Sequence, residues 1–231
     1  AKNFENLMHN PNLPVLRGIL NSFIVAMGSA VLTTYFSSLT AYAIHAYDFR
    51  GKKVIFTFIL MIMMVPTQVS ALGFVELMRK MKLMNSFVPL IVPSIAAPVV
   101  FFFMKQYMDS ALPIEIVEAA RIDGSHEFRA FNTIVLPIMK PAIAVQAIFA
   151  FTSSWNNYFI PSLILDKKDK KTLPILIAQL RSADFLKFDL GQVYMMIAIS
   201  IFPVVVVYLF VSKSIVQGVA LGSVNVNFRN N

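Results

Sequence analysis

Apolar residues run along this chain in five long stretches separated by short polar segments, at about 17–47, 54–74, 87–107, 141–160 and 190–212. A helix needs about 20 mostly apolar residues to cross the hydrocarbon core of a bilayer, and each stretch meets that length. Inside lipid every backbone N–H and C=O must be satisfied internally, which leaves helices as the structure such runs adopt. The pattern predicts an all-α, polytopic membrane protein with five transmembrane helices. Residues 1–16 form a polar segment ahead of the membrane region 17–213, and 214–231 form a tail.

Each run carries its own irregularity. Gly28, Ser29, Ser37 and Ser38 make the first a candidate for close packing against neighbours. Pro66-Thr67-Gln68 falls near the end of the second, where carbonyls freed by proline either line a watery path or pack against other helices. Glu76 to Ser86 is basic and amphipathic, with Leu77, Met81 and Met84 at helical spacing, as in a short interfacial helix. Pro89, Pro93 and Pro98 predict a bent third span, and Pro203 lies within the fifth.

Between the third and fourth runs lies the most structured polar segment, 109–137. Glu118-Ala119-Ala120-Arg121-Ile122-Asp123-Gly124-Ser125, followed by Ile134-Val135-Leu136-Pro137, reads as two short helices with a sharp corner. Pro113 suits the first turn of a helix, Gly124 suits its end, and Ser125 suits the cap of the next, with Glu127 near that helix's positive end. Ile116, Ala119 and Ala120 are expected on one face, bordered by Glu115, Glu118 and Arg121. Such a helix either lies on the bilayer surface or offers small side chains against which another protein packs closely.

The composition agrees with the membrane reading: 57% hydrophobic, 14% charged and mean hydropathy +0.68 over 231 residues. There is no Cys, so disulfides and thiolate metal sites are excluded, and His9, His45 and His126 lack metal-ligand spacing. The net charge of +8 sits in short clusters between apolar runs without a recognition motif, which favours lipid headgroups over nucleic acid.

Glu-Ala-Ala, then Asp123-Gly124, then Ile134-x-Leu136-Pro137, resembles the cytoplasmic "EAA" loop of the membrane subunits of bacterial ATP-binding cassette importers. The likeness extends across most of the chain and is nearest the second permease subunit of carbohydrate uptake systems of the maltose transporter type. It implies that 109–137 is a coupling loop in which Glu118, Ala119, Ala120, Asp123, Gly124, Leu136 and Pro137 engage an ATPase. It also implies the partners: a second, related permease in a heterodimer, two ATP-binding cassette ATPase subunits that carry ATP and Mg, an extracytoplasmic solute-binding protein, and a sugar or oligosaccharide. This chain itself is expected to carry no cofactor, and the location implied is the bacterial inner membrane. Family members of this type have six spans, so a further N-terminal helix ahead of Ala1 is expected. Gln217 to Val224 is similar to the family's glycine-containing C-terminus, although this sequence continues from Asn225 where the maltose-type ending has Lys-Gly.

With the coupling loop inside, nine of the twenty Lys and Arg fall on the cytoplasmic side and eleven outside, so charge counting does not orient the protein. The net positive outer face suits an acidic binding-protein surface or an anionic saccharide such as a uronate oligomer. The outer loop 161–189 resembles one that reaches toward the binding protein. Its Lys167, Lys168, Lys170 and Lys171 are candidate contacts, or simply a solvated charge run.

No Gly-rich phosphate loop occurs, and the spans lack the buried acids or lysines of an ion-driven carrier. Near the outer end of the fourth run, Trp155, Asn156, Asn157 and Tyr158 form the most polar patch at depth. An aromatic face packs on sugar C–H groups while amides bond hydroxyls; the alternative is an interfacial aromatic belt. The residues thus favour a non-catalytic permease. The rivals are a secondary carrier or channel, and a membrane-embedded enzyme on lipid-linked substrates, which would need clustered acids or histidines.

Overall fold

In the computed structural model, residues 13–181 and 190–227 are described, with side chains placed as far as 212. Every regular element among them is helical. Helix α1 is Val15–Ala46, α2 Lys52–Ile62, α3 Thr67–Lys80 and α4 Val88–Ile91, the last continued by a 3₁₀ turn Val92–Ile95. Then come α5 Pro98–Ala111, α6 Ile114–Ile122, α7 Glu127–Ala130, a π turn Phe131–Val135 and α8 Leu136–Trp155. Helices α9 Phe159–Ile164, α10 Leu173–Arg181 and α11 Leu190–Asn227 complete the chain. Four helical segments are long and apolar enough to cross a membrane, and α2 with α3 makes a fifth if the broken pair is one span.

Proline chemistry explains where the helices depart from the expected runs. The second run breaks at 63–66 because Pro66 has no N–H and disfavours helical geometry in the residue before it; the last bonds tighten to i→i+3, from Met63 to Leu60 and from Met64 to Met61. The third breaks at Ala97, whose non-helical backbone precedes Pro98 at the start of α5. The fourth span is 127–155 rather than 141–160: it begins before Pro141, and α9 is a separate short helix. The expected tail from 214 continues the backbone of α11 to Asn227; the side chains of Gln217 to Val224 lie outside those described, as do residues 1–12 entirely.

The chain divides into two compact units. One contains the described residues of Ala1–Ala30, Thr67–Pro93 and Ala150–Leu209; the other contains those of Val31–Pro66, Ser94–Phe149 and Phe210–Asn231. The second unit has a core of Ala41, Tyr42, Phe101, Met104, Met108, Phe131 and Met139. Among the buried polar residues that α1 contributes is Thr33, whose hydroxyl donates to the Ser94 carbonyl at 2.9 Å. Pro98 has no N–H to offer that carbonyl four residues back, so Thr33 supplies the bond the proline removed. Thr33→Val, nearly the same shape without the hydroxyl, should lower stability by about 1 kcal/mol, with Thr33→Ser close to wild type in thermal unfolding of the detergent-solubilised protein.

In the first unit the small residues of α1 serve close packing, as expected. A Cβ on Gly28 would stand 3.1 Å from the Ile91 side chain, and the Ser29 hydroxyl donates to the Leu90 carbonyl. The core here is Leu13, Ala26, Phe151, Trp155, Leu176 and Met196, beside a second cluster of Met78, Ile164, Leu165 and Ile175. The expected interfacial helix 76–86 is corrected. Helix α3 ends at Lys80 because Lys82 takes φ +57°, and the Leu83 N–H turns back to the Met78 carbonyl. Met78 is buried, while Leu77 and Met81 are exposed.

The outer loop 161–189 reads in sequence as a polar excursion, yet its described part is folded. The Asn85 carboxamide oxygen accepts from the backbone N–H of Asp166 at 2.7 Å and of Lys167 at 2.8 Å, while the Asn85 backbone N–H donates to the Ile164 carbonyl. The Asn21 amide donates to the carbonyls of Asp169 and Lys171, and the Leu173 N–H donates to the Ser22 hydroxyl. These bonds satisfy a turn that burial of Leu173, Ile175 and Leu176 would otherwise leave costly. Asn85 sits at φ +59°, a conformation Asn tolerates better than most residues. Asn85→Ala should therefore raise hydrogen exchange across 164–168 by about tenfold, the equivalent of one to two lost bonds, without altering exchange in α5.

Candidate functional site

The segment after α5 is built as a platform. Helix α6 starts at Ile114, with Pro113 one residue ahead of it at the cap position, and Glu115 stands in its first turn. Its end is a Schellman motif: Gly124 at φ +76° donates to the Arg121 carbonyl, and Ser125 donates its N–H to the Ala120 carbonyl at 2.9 Å. Gly124 thus does what its residue type implied. Ser125 does not cap α7; His126 holds the cap position, without a side-chain bond, because Ser125 is spent closing the previous helix. The expected face is also corrected. Val117 and Ala120 turn inward, 1% and 5% exposed, while Glu115, Ile116, Glu118, Ala119, Ile122 and Asp123 turn outward. Ile122 is 86% exposed and Phe128 65%, so a charged rim surrounds unpartnered apolar groups.

Beneath that surface a polar cluster fastens the corner. Arg121 Nε donates to Glu127 Oε1 at 2.6 Å, bridging the two helices across the turn, and its other nitrogen reaches the Ala46 carbonyl at 3.4 Å. The guanidinium also stacks 5.1 Å above the Tyr47 ring. The Tyr42 hydroxyl donates to the second Glu127 oxygen at 2.8 Å. The bonded Glu127 carboxylate holds the Arg121 guanidinium above its ordinary range, so the guanidinium stays charged at any cellular pH. Burial, and then the nearby Glu127 carboxylate, pushes the Tyr47 hydroxyl up, keeping it neutral. A second contact ties α1 to the start of the loop: His45 faces Asp109 and the Leu112 carbonyl, each at 2.9 Å, and Lys105 also bonds Asp109.

The order of residues does not reveal these partners. It places Arg121 only at the border of a face and assigns no role to Tyr42, His45, Tyr47 or Asp109. The one available signal is the polar spacing Tyr42, His45, Tyr47 at the end of an apolar run, the place where a span leaves lipid.

Leu136 packs half-buried on the core while Pro137 is exposed, two residues after the end of the π turn. Pro137 cannot bond four residues back, and the ladder shifts register there. Side chains take up the slack: the Asn132 amide donates to the Phe128 carbonyl and the Thr133 hydroxyl to that of Arg129. The result is an uninterrupted helical segment from Glu127 to Trp155.

The aromatic-amide patch is divided. Trp155 is buried and stacks on Phe151, ring centroids 5.7 Å apart, so it belongs to the core. Asn156, Asn157 and Tyr158 are exposed beyond the end of α8. Of the four lysines, Lys167 and Lys168 are exposed, whereas Lys171 is half-buried and Lys170 lies over the Phe87 ring.

Several helices long and apolar enough to cross a membrane, with a braced, outward-facing corner leading into one of them, mark the chain as a multi-pass membrane protein. Residues 36–220 match the family described as "Binding-protein-dependent transport system inner membrane component". The chain belongs to that family; it is a multi-pass inner-membrane permease subunit of an ABC importer. It is 35% identical over 226 residues to the arabinooligosaccharides transport system permease protein AraQ of Bacillus subtilis, covering 96% of this chain and 78% of that one. Over 204 residues it is 30% identical to the lactose transport system permease protein LacG of Rhizobium radiobacter, covering 88% and 73%. Its fold is that of a chain in a bacterial ABC transporter involved in the import of the acidic polysaccharide alginate, with TM-score 0.78, 22% identity and coverage of 91% and 78%.

Proposed function

We propose that this subunit pairs with a second, related permease, is driven by two ATPase subunits that carry the ATP and Mg, and passes sugars or oligosaccharides received from an extracytoplasmic binding protein. The observation that carries the reading is the braced corner. Its outward side offers Glu118, Ala119, Ile122 and Asp123 to a partner, while Arg121 and Glu127 transmit force into 127–155. The carboxylates of Glu118 and Asp123 make no bond with other described residues, so both remain available to bases on an ATPase surface. The relatives' names support a saccharide cargo. An ion-driven carrier is less well supported, since the buried side chains among the described residues include no Asp, Glu, Lys or Arg.

Closure of an ATPase dimer would draw the corner toward its counterpart on the second permease. A rigid attachment then converts that displacement into movement of the span. Purifying the complex from its native membrane tests this: an ATPase should co-isolate, and a Cys at Ile122 should cross-link to it. Transport by the permeases alone, or labelling of Ile122→Cys from outside intact cells, would overturn it.

A further inference from the structure

Beside the exposed Tyr158 ring lies a recess of about 400 Å³, within the range of small-molecule sites. Asn156, Tyr158, Arg181 and Ser200 line it, with Pro174 and Trp155. Arg181 is the one charged side chain among its lining residues, and it makes no ion pair or hydrogen bond with any described residue. The Ser200 hydroxyl donates to the Ile197 carbonyl at 2.6 Å, which leaves its oxygen free to accept. A second recess of about 280 Å³ also has Tyr158 in its wall and carries Ser162, Gln179, Asp166 and Lys171.

We propose that the larger recess is a subsite for a sugar bearing a carboxylate, an inference that rests on the saccharide-import reading. A guanidinium fork matches a carboxylate by two parallel N–H···O bonds, and here Arg181 has no competing acid among the described residues. The Tyr158 ring offers its face to the C–H side of the sugar, the Asn156 carboxamide bonds a hydroxyl, and Ser200 accepts from another. Tyr158 lines both recesses, so an oligomer extends past it into the second, where Ser162, Gln179 and Lys171 suit hydroxyls or a further carboxylate. A single guanidinium carries one charge and the rest of the lining is amide, hydroxyl and apolar. That set suits a carboxylate better than a phosphate dianion, which typically gathers several N–H donors.

The test is uptake by the complete transporter with its binding protein in proteoliposomes, using galacturonate and mannuronate oligomers of two to four units, neutral oligosaccharides of equal length, and sugar phosphates. The quantity read is the ratio of acidic to neutral uptake. It should fall tenfold or more in Arg181→Gln and by a smaller factor in Arg181→Lys, and in the wild type it should decline as salt rises. An unchanged ratio in Arg181→Gln overturns the subsite, as does wild-type transport of neutral sugars alone; both leave saccharide import standing. Equal dependence of sugar phosphate uptake on Arg181 overturns the choice of carboxylate. Failure of every saccharide to be carried or to stimulate ATP hydrolysis removes the import reading and the subsite together. Should Arg181→Gln fail to assemble, the salt dependence of the wild-type ratio and the Arg181→Lys value decide: a flat salt response with an unaltered Lys variant ends the proposal.

Discussion

Replacing Gly124 by Val should uncouple ATP hydrolysis from uptake, reducing substrate moved per ATP by roughly fivefold to thirtyfold. The residue holds φ at +76°, and a Cβ placed there would meet nothing within 4 Å, so the entire effect is conformational rather than steric crowding. An L-residue with a side chain costs about 1–2 kcal/mol in the left-handed region, and more when β-branched. The chain escapes that cost by letting the Ser125 to Ala120 bond go, which opens the corner and lets α6 drift from the geometry a partner would grip. A graded series isolates the cause. Gly124→Asn should be mildest, Gly124→Ala intermediate and Gly124→Val most severe, following tolerance of positive φ and not side-chain volume, since Asn is larger than Ala. The measurement is uptake and ATPase rate on the same proteoliposomes; full coupling in Gly124→Val would refute the role of the turn.

The second large effect is expected from the ion pair beneath the corner. Arg121→Ala leaves Glu127 with the hydroxyls of Tyr42 and Tyr47 and removes the stack on the Tyr47 ring and the bond to Ala46. Both side chains are about one-third exposed, at 34% and 40%, so water compensates part of the loss and the cost is about 1–2 kcal/mol rather than that of a fully buried pair. Uptake should drop roughly fivefold to tenfold while the solubilised protein stays folded. Arg121→Lys should recover little, because an ammonium cannot hold Glu127, Ala46 and the Tyr47 face at once. Joining Arg121→Glu with Glu127→Arg should restore more coupling than either single change gives. Strict additivity of the two would show that the pair does not act as a unit.

Glu118, Ala119, Ala120, Asp123 and Gly124 are recognisable from their order, because a local turn is encoded by residues adjacent in the chain: a glycine where φ must be positive, small residues where approach must be close. The prolines likewise announce most breaks, since a missing N–H acts on its own helix. What the order of residues leaves open is which side of α6 faces in, because Ile116, Ala119 and Ala120 satisfy a helical face that only packing against the core could orient. It leaves open, too, that Trp155 belongs to a core and Tyr158 to a surface, although the two are close neighbours in the chain.

Taken by itself, the amino-acid order determined an all-helical membrane protein, the approximate positions of its spans, and the corner between α6 and α7. Tertiary structure alone decided the rest: that Tyr42, Ala46 and Tyr47 brace Arg121 and Glu127 from across the sequence, with separations of 75 and 85 residues for the Ala46 and Tyr42 bonds, that Thr33 bonds the carbonyl Pro98 has no N–H to reach, and that Asn21 and Asn85 hold the outer turn shut. Backbone propensity and hydrophobic length are read within about twenty neighbouring residues. A buried polar group, by contrast, takes whichever partner the packing brings to it, and that partner's distance along the chain leaves no local mark.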